Sequence, residues 1–299
     1  MTPESRSSRT SFVIASRDRR SELTSVVSRL LDTTTCPIVV VDNGSADDSV
    51  AAVTRLAATA AGRLEVVALD ENLGAVARNV GVRRCGTEFV AFCDDDSWWE
   101  PESTVRAEEV FDAYPSVALL AGRMTVWPGE RDDPVVAALA TSPLGRDPAL
   151  PGPSILGFLS CGSIVRSAAF LAVGGFSPIL HFRGEESLVA WDLAAAGCDL
   201  CFTPELVAHH QPSPIRQTSA AQAARVLRNE ALTTWLRRPA DRCAEVTARL
   251  VRAAASDGEH ARALTEALRR LPAVTRGRRR LPDHVERRLR LLERAGETG

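Results

Sequence analysis

The chain reads as an α/β domain built on a parallel sheet, followed by an all-helical, arginine-rich region. Over residues 11–93 short apolar runs alternate with segments of helical periodicity, the pattern of strands joined by right-handed helical crossovers. Beyond Pro214 the periodicity is helical throughout. A third observation places the chemistry. The run Phe89-Val90-Ala91-Phe92-Cys93 reads as a strand buried on both faces, and it leads straight into Asp94-Asp95-Asp96.

Ser11–Ser16 is the first strand expected, ending in the polar loop Arg17-Asp18-Arg19-Arg20. A helix follows, with Ser21 as its N-cap and Leu23, Val26, Val27, Leu30 and Leu31 as its apolar stripe. Pro37 precedes a second strand, Ile38–Val41, which ends in the turn Asp42-Asn43-Gly44-Ser45. A helix over Asp47–Ala61, a strand over Leu64–Leu69 and a helix over Gly74–Arg84 come next, then the acidic strand. From Pro101 a helix should reach Ala113 with Val105 and Val110 inward, and Val117–Ala121 is a short strand. Trp127–Pro153 is rich in Pro, Gly and Asp and reads as a long loop with one short helix at Val135–Ala140. A strand at Gly162–Val165 and a helix at Ser167–Val173, closed by Gly174-Gly175, precede a helix at Glu185–Ala196 closed by Gly197. Leu200–Phe202 is a strand that Pro204 ends, and Leu206–Ala208 leads into His209-His210.

Composition bounds the rest. Hydrophobic content of 45% and charged content of 25% are those of a soluble globular protein, and no run is long enough to span a membrane. Residues 1–10 lack the apolar core of a secretory signal, so a disordered leader and a cytosolic location are expected. Seven scattered cysteines fit reduced core thiols, Cys198 and Cys201 included. Charge divides the chain: residues 1–215 carry 17 arginines against 28 acids, residues 216–299 carry 19 against 10, and there is no lysine. The expected organisation is a leader at 1–10, a catalytic domain at 11–215 and a basic helical region at 216–299. In that region helices are expected at Ser219–Arg237, Cys243–Ala255, Glu259–Leu271 and Asp283–Ala295, the last following the basic linker Arg276–Arg280. The first three should form a bundle docked on the catalytic body. The last is left free for peripheral contact with an anionic membrane surface. Aromatic residues are too scarce in the tail for nucleic acid, and Trp235 lies on the packing face.

Three adjacent carboxylates raise each other's pKa unless a cation compensates them, and hard divalent ions prefer oxygen ligands of this kind. Ligands of open α/β sheets bind beyond the carboxyl ends of the strands. Ser16, Asp42 and the triad Asp94, Asp95, Asp96 should share one such rim, with Asn72 and Arg78 beside them. Taken singly, each motif also fits an ordinary turn or an exposed helix residue; the triad also fits a solvated acidic turn capping the helix at Pro101.

In order and spacing these elements resemble the inverting glycosyltransferases of family 2, which have a GT-A fold. The resemblance covers Ser11–Pro214: the first strand, the turn at Asp42, the stretch Asn72-Leu73-Gly74 through Arg78-Asn79, the Asp-x-Asp at Asp94 and Asp96, Gly174-Gly175-Phe176, and the pair Glu185-Glu186. It implies a Rossmann-like nucleotide-diphospho-sugar transferase core with a C-terminal helical appendage. It also implies a nucleoside-diphosphate sugar as donor and a hydroxyl acceptor on a glycan, a lipid-linked glycan or a natural product. By this resemblance Asp42 and Arg78 hold the nucleotide base, and Ser16, Asn72 and Asp95 complete the donor site. Asp94 touches the ribose or sugar, while Asp96 and one of the pair His209-His210, His209 by position, ligate Mg²⁺ or Mn²⁺. Glu186 is the catalytic base and Glu185 the second choice, because the family's usual Glu-Asp pair is Glu-Glu here. Trp98, Trp99, Trp191 and the Gly174-Gly175-Phe176 stretch are candidates for an acceptor pocket. Two rivals stand beside this reading. A nucleotidyltransferase would want a glycine-rich phosphate loop after the first strand, where Ser16–Arg20 has no glycine. A sugar-nucleotide-binding module without catalysis would keep the donor site and need no acid pair.

Overall fold

The computed structural model describes residues 8–129, 131–212 and 219–297. The first half runs β1 (Thr10–Ser16), α1 (Arg20–Thr33), β2 (Ile38–Asp42), α2 (Ser49–Thr59), β3 (Leu64–Ala68), α3 (Val76–Arg84) and β4 (Phe89–Cys93). Then come β5 (Ser97–Trp99), α4 (Pro101–Ala113), β6 (Val117–Val126), β7 (Arg131–Asp132), α5 (Pro134–Ala140), β8 (Ser163–Arg166), α6 (Ser167–Ala172), α7 (Glu186–Ala195) and β9 (Asp199–His210). The tail is α8 (Ser219–Arg237), α9 (Ala240–Ser256), α10 (Gly258–Arg269), α11 (Leu271–Gly277) and α12 (Asp283–Glu297). One sheet has the order β3-β2-β1-β4-β8-β6-β9-β5, with β7 paired to β6. β1 to β4 are parallel, as their alternation with helices requires, and β8, antiparallel to both β4 and β6, begins a mixed second half.

The central strands have apolar residues on both faces because helices or loops cover both: Phe12, Val13, Ile14, Val40, Phe89 and Phe92 have no exposed surface. Helix α3 approaches β1 through Gly81, where a Cβ would come within 2.5 Å of Val13 Cγ1.

Several expected boundaries are corrected by tertiary contacts. The leader ends earlier than residue 10. Thr10 is already in β1 and fully buried, and Arg9 is pinned by ion pairs to Glu88 and Asp112; residues 1–7 lie outside the described residues. The domain boundary at 215/216 falls outside them too. Val105 is 58% exposed, and α4 instead buries Ser103, Thr104, Ala107 and Phe111. β6 continues to Val126, and β9 runs unbroken through Pro204. Its register against β6 shifts between Gly122 and Arg123, and a bulge is where a strand tolerates a proline lacking its N–H. The residues after the triad form β5, which pairs with the end of β9 and so brings His209 and His210 beside the acidic loop.

The helical appendage is docked on the body, its last helix included. Ala231, Leu232, Trp235, Leu236, Val246 and Leu250 form a second core, which also takes in Leu180 and Leu188 from the α/β body. Helix α12, expected to be free, instead packs Val285 and Leu289 into the main core, together with Leu281 just before it. Arg238, only 4% exposed, is paired there with Glu286 and Glu293. The arginine excess is therefore partly consumed within the molecule: Arg237 pairs with Asp192, Arg228 with Glu266 and Arg242 with Glu293. Deleting residues 278–299 should lower unfolding stability by about 5 kcal/mol or more, since it exposes three apolar contacts and strands a buried guanidinium. Urea unfolding measures this, and an unchanged midpoint would make α12 dispensable. Among the described residues no helix is long and apolar enough to cross a membrane. The cysteines, Cys198 and Cys201 among them, are unlinked.

Candidate active site

The carboxyl ends of β1, β2 and β4 lie side by side, with Ser16 level with Asp42. Ser16 is buried and its Oγ donates to Asp95 Oδ2 at 2.7 Å. Burial raises Asp95 to a pKa of about 7 against the Ser16 hydrogen bond and Arg19, and the charges of Asp94 and Asp96 add to the rise. Arg19, in the loop before α1, is the compensating cation that adjacent carboxylates demand. Its Nη2 donates to Asp96 at 3.1 Å, and its Nε lies 2.7 Å from Asp95 Oδ1 yet is misaligned for a hydrogen bond. His210 Nε2 sits 3.5 Å from Asp96 Oδ1.

Asp42 is 2% exposed; its Oδ1 accepts from the Ser45 backbone, and its buried Oδ2 has no partner. Such an oxygen is costly unless a ligand donor meets it. Next to it, Asn43 donates to the Gly74 carbonyl and accepts from Leu73 N, which fixes the loop before α3. Asn72 is exposed, and its Oδ1 caps Gly74 N within that same loop. Gly74 has φ +61°, and a Cβ there would lie 2.3 Å from the His181 carbonyl oxygen, so only glycine lets the two loops touch.

Arg78 joins the two halves of the site. It is buried on α3, hydrogen-bonded to Asp94 Oδ1, with its Nη1 3.8 Å from Glu185 Oε1. Burial opposes its charge, but Asp94 and Glu185 outweigh burial and hold it firmly protonated. Glu185 is raised to about 8, by burial first and then by the charge of Glu186. Arg78 pulls the other way, but its ion pair with Glu185 is longer than its contact with Asp94, so burial wins at Glu185. Glu186, the first residue of α7, is partly exposed, and its Oε1 accepts from Ser160 Oγ at 2.9 Å. Just before the pair, His181 (φ +67°) and Arg183 (φ +79°) are non-glycine residues in the left-handed region, each costing about 1–3 kcal/mol.

Several expected placements are not what the structure has. Arg78, expected at a nucleotide base, is held by Asp94 and lies near Glu185. His209 faces away from the triad: it bonds Thr125 and Glu100 and stacks on Trp98. Successive strand residues face opposite ways, so it is His210 that lies beside Asp96. Trp99 is core, its Nε1 bonded to the Phe92 carbonyl. Phe176 is core as well, its backbone held at both polar atoms by Asn79. Arg19 and Ser160 were not singled out from sequence, and His210 only as the second of the histidine pair, because the charge and hydroxyl partners that give them meaning are far away in the chain. Two cavities, of about 490 and 350 Å³, lie by Ser8 and Arg9, at the amino-terminal ends of the parallel strands, away from these groups.

The mixed sheet, its strand-end carboxylates and the helical region define a GT-A-type α/β domain. The family model for glycosyl transferase family 2 matches residues 11–169, and the chain belongs to that family. It is 34% identical over 202 residues to the pre-mycofactocin glycosyltransferase of Mycobacterium tuberculosis, a match covering 62% of this chain and 40% of that protein. The chain thus spans less than half the length of that curated relative. Among solved structures, the mannosyltransferase PcManGT from Pyrobaculum calidifontis, in complex with GDP-Man and Mn²⁺, aligns with a TM-score of 0.61 at 18% identity, covering 95% of this chain and 86% of that one. TarS 1–349 of S. aureus in complex with UDP-GlcNAc aligns at 0.57 and 18% identity, covering 75% and 66%.

Proposed function

We propose that this chain transfers a glycosyl group from a nucleoside-diphosphate sugar to an acceptor hydroxyl, with inversion at the anomeric carbon. The observation that carries the reading is the shared counter-ion: Arg78 ties the strand-end Asp94 to the acid pair through Glu185, so donor and acceptor chemistry meet at one cleft. Asp42 offers its unpartnered buried oxygen to an N–H of the base. The acceptor hydroxyl gives its proton to Glu186, which Ser160 orients, as its oxygen bonds to the anomeric carbon. The bond from that carbon to the diphosphate oxygen breaks in the same step, and the nucleoside diphosphate leaves. Glu185, buried and next to Arg78, supports the base rather than meeting the acceptor.

The residues suit Mg²⁺ or Mn²⁺. A guanidinium already lies against Asp95 and Asp96, so the pocket favours positive charge, and Asp96 and His210 offer the oxygen and nitrogen such an ion accepts. Among the described residues no group of three His, Cys, Asp or Glu side chains forms a cage, which suits an ion that takes its other ligands from a diphosphate. A bound ion would neutralise charge on the departing diphosphate. Asp96→Asn should weaken Mn²⁺-dependent binding of UDP or GDP by at least about tenfold in calorimetry, by loss of an anionic ligand.

The reading is tested by incubating the protein with UDP- and GDP-sugars and Mn²⁺, with and without a panel of hydroxyl acceptors that includes pre-mycofactocin, the substrate in the relative's name. Nucleoside diphosphate release and the anomeric configuration of the product are followed. No release from any donor would end the proposal, and retained configuration would end the inverting step.

A further inference from the structure

We infer that Asn229, backed by Arg228, is a positioning residue for the acid pair, which makes the helical tail part of the catalytic site. The inference rests on the reading of Glu185 and Glu186 given above. The segment 180–184 that delivers them is held in an unfavourable backbone shape, with His181, Arg183 and Gly184 all at positive φ. Such a shape persists only where the surroundings impose it. Here the surroundings converge on one side chain. Asn229 Nδ2 donates to the carbonyls of Leu180 at 3.0 Å, Phe182 at 3.0 Å and Arg183 at 2.6 Å.

Asn229 has no exposed surface, and its position inside α8 is one where asparagine is a poor helix former. Its amide orientation is set from behind: Arg228 Nε donates to Asn229 Oδ1 at 3.0 Å, which turns the NH₂ toward the segment. Arg228 also donates to the Leu180 carbonyl at 3.1 Å and is tied to Glu266 of α10. The tail grips the neighbouring chain at further points. Leu180 and Leu188, on either side of the acid pair, are buried in the second core, and Arg237 of α8 holds Asp192 of α7 through two bonds of 2.5 and 2.8 Å. From the donor side, Ala75 N donates to the His181 carbonyl at 2.6 Å. The segment is thus clamped between the loop that opens α3 and the tail, and its geometry is that of both.

Without the Asn229 donors the Phe182 and Arg183 carbonyls lose that partner, Leu180 is left with Arg228 from the tail, and the segment relaxes, so Glu185 and Glu186 lose their placement. Asp42 and Asp96 lie on other elements, and donor binding should survive. The test uses the full chain with Asn229→Leu, which keeps the approximate volume and removes the donors, and Arg228→Met as a milder variant that still folds if the first does not. Amide exchange across residues 181–187 should be faster, and kcat should fall by about 10²-fold in Asn229→Leu with nucleoside diphosphate affinity nearly unchanged, the signature of misplaced catalytic groups. Arg228→Met should shift both in the same direction by less. Arg249→Ala, which breaks an exposed pair with Glu230 elsewhere in the bundle, should shift neither. Unchanged exchange over 181–187 in folded variants, or an unchanged kcat, overturns the inference. Should the wild type transfer no sugar from any donor, the proposed function fails, and the exchange measurement still decides whether Asn229 holds the segment.

Discussion

Glu186→Gln should abolish sugar transfer while leaving donor binding intact. The amide keeps the size of the side chain and its acceptor oxygen for Ser160 but cannot take a proton. General-base catalysis contributes about 10²–10⁴-fold, so kcat should fall by that amount with the nucleoside diphosphate Kd unchanged. Calorimetry and a coupled release assay on the same preparation separate the two quantities. Glu185→Gln should cost less activity and instead alter the response of stability to pH. Burial raises Glu185 from 4.5 to about 8 in the folded state, so the folded chain binds that proton more tightly than the unfolded chain. The stability it contributes is present below the ordinary glutamate pKa and is lost as pH rises through the raised value. Urea unfolding across that interval should show a steeper loss in the wild type than in Glu185→Gln. If Glu185→Gln is the variant that loses turnover and Glu186→Gln retains it, the base is Glu185.

Among single substitutions, the largest effect on stability is expected for Arg78→Met. The side chain is 6% exposed and compensates Asp94 on one side and the nearly inaccessible Glu185 on the other. Removing one partner of a buried ionic network leaves the others uncompensated, at a cost of about 3–5 kcal/mol. Transfer should fall as well, because Asp94 and the acid pair would no longer share a fixed geometry. A variant as stable as the wild type would show that the arginine is not the counter-ion that unites the site.

Local pattern was enough for the parallel half of the sheet and for the row of strand-end carboxylates. Ile38–Val41 and Phe89–Cys93 are too apolar for anything but strands covered on both faces, and carboxylates follow each of them. The order of Asp42, Arg78, the Asp-x-Asp and Glu185-Glu186 was enough to point to the family. Local pattern also located α5 and, in the tail, α8, α9, α10 and α12, since their 3.6-residue period does not depend on what they pack against. What only the tertiary structure decided are matters of pairing between distant segments. Whether His209 or His210 faces Asp96 depends on the strand register of β9 against β5, and a shift of one residue would exchange them. That Arg78 is an internal counter-ion, and Arg19 the partner of Asp95 and Asp96, follows from chain separations over which charge cannot be read locally. Helix α12 shows the same limit: its arginines suggest a free surface, but Val285 and Leu289, with Leu281 just before the helix, find a complementary face on the α/β body. Apolar burial on a whole face stabilises more than exposed charges gain from solvent, so packing decided where the tail lies.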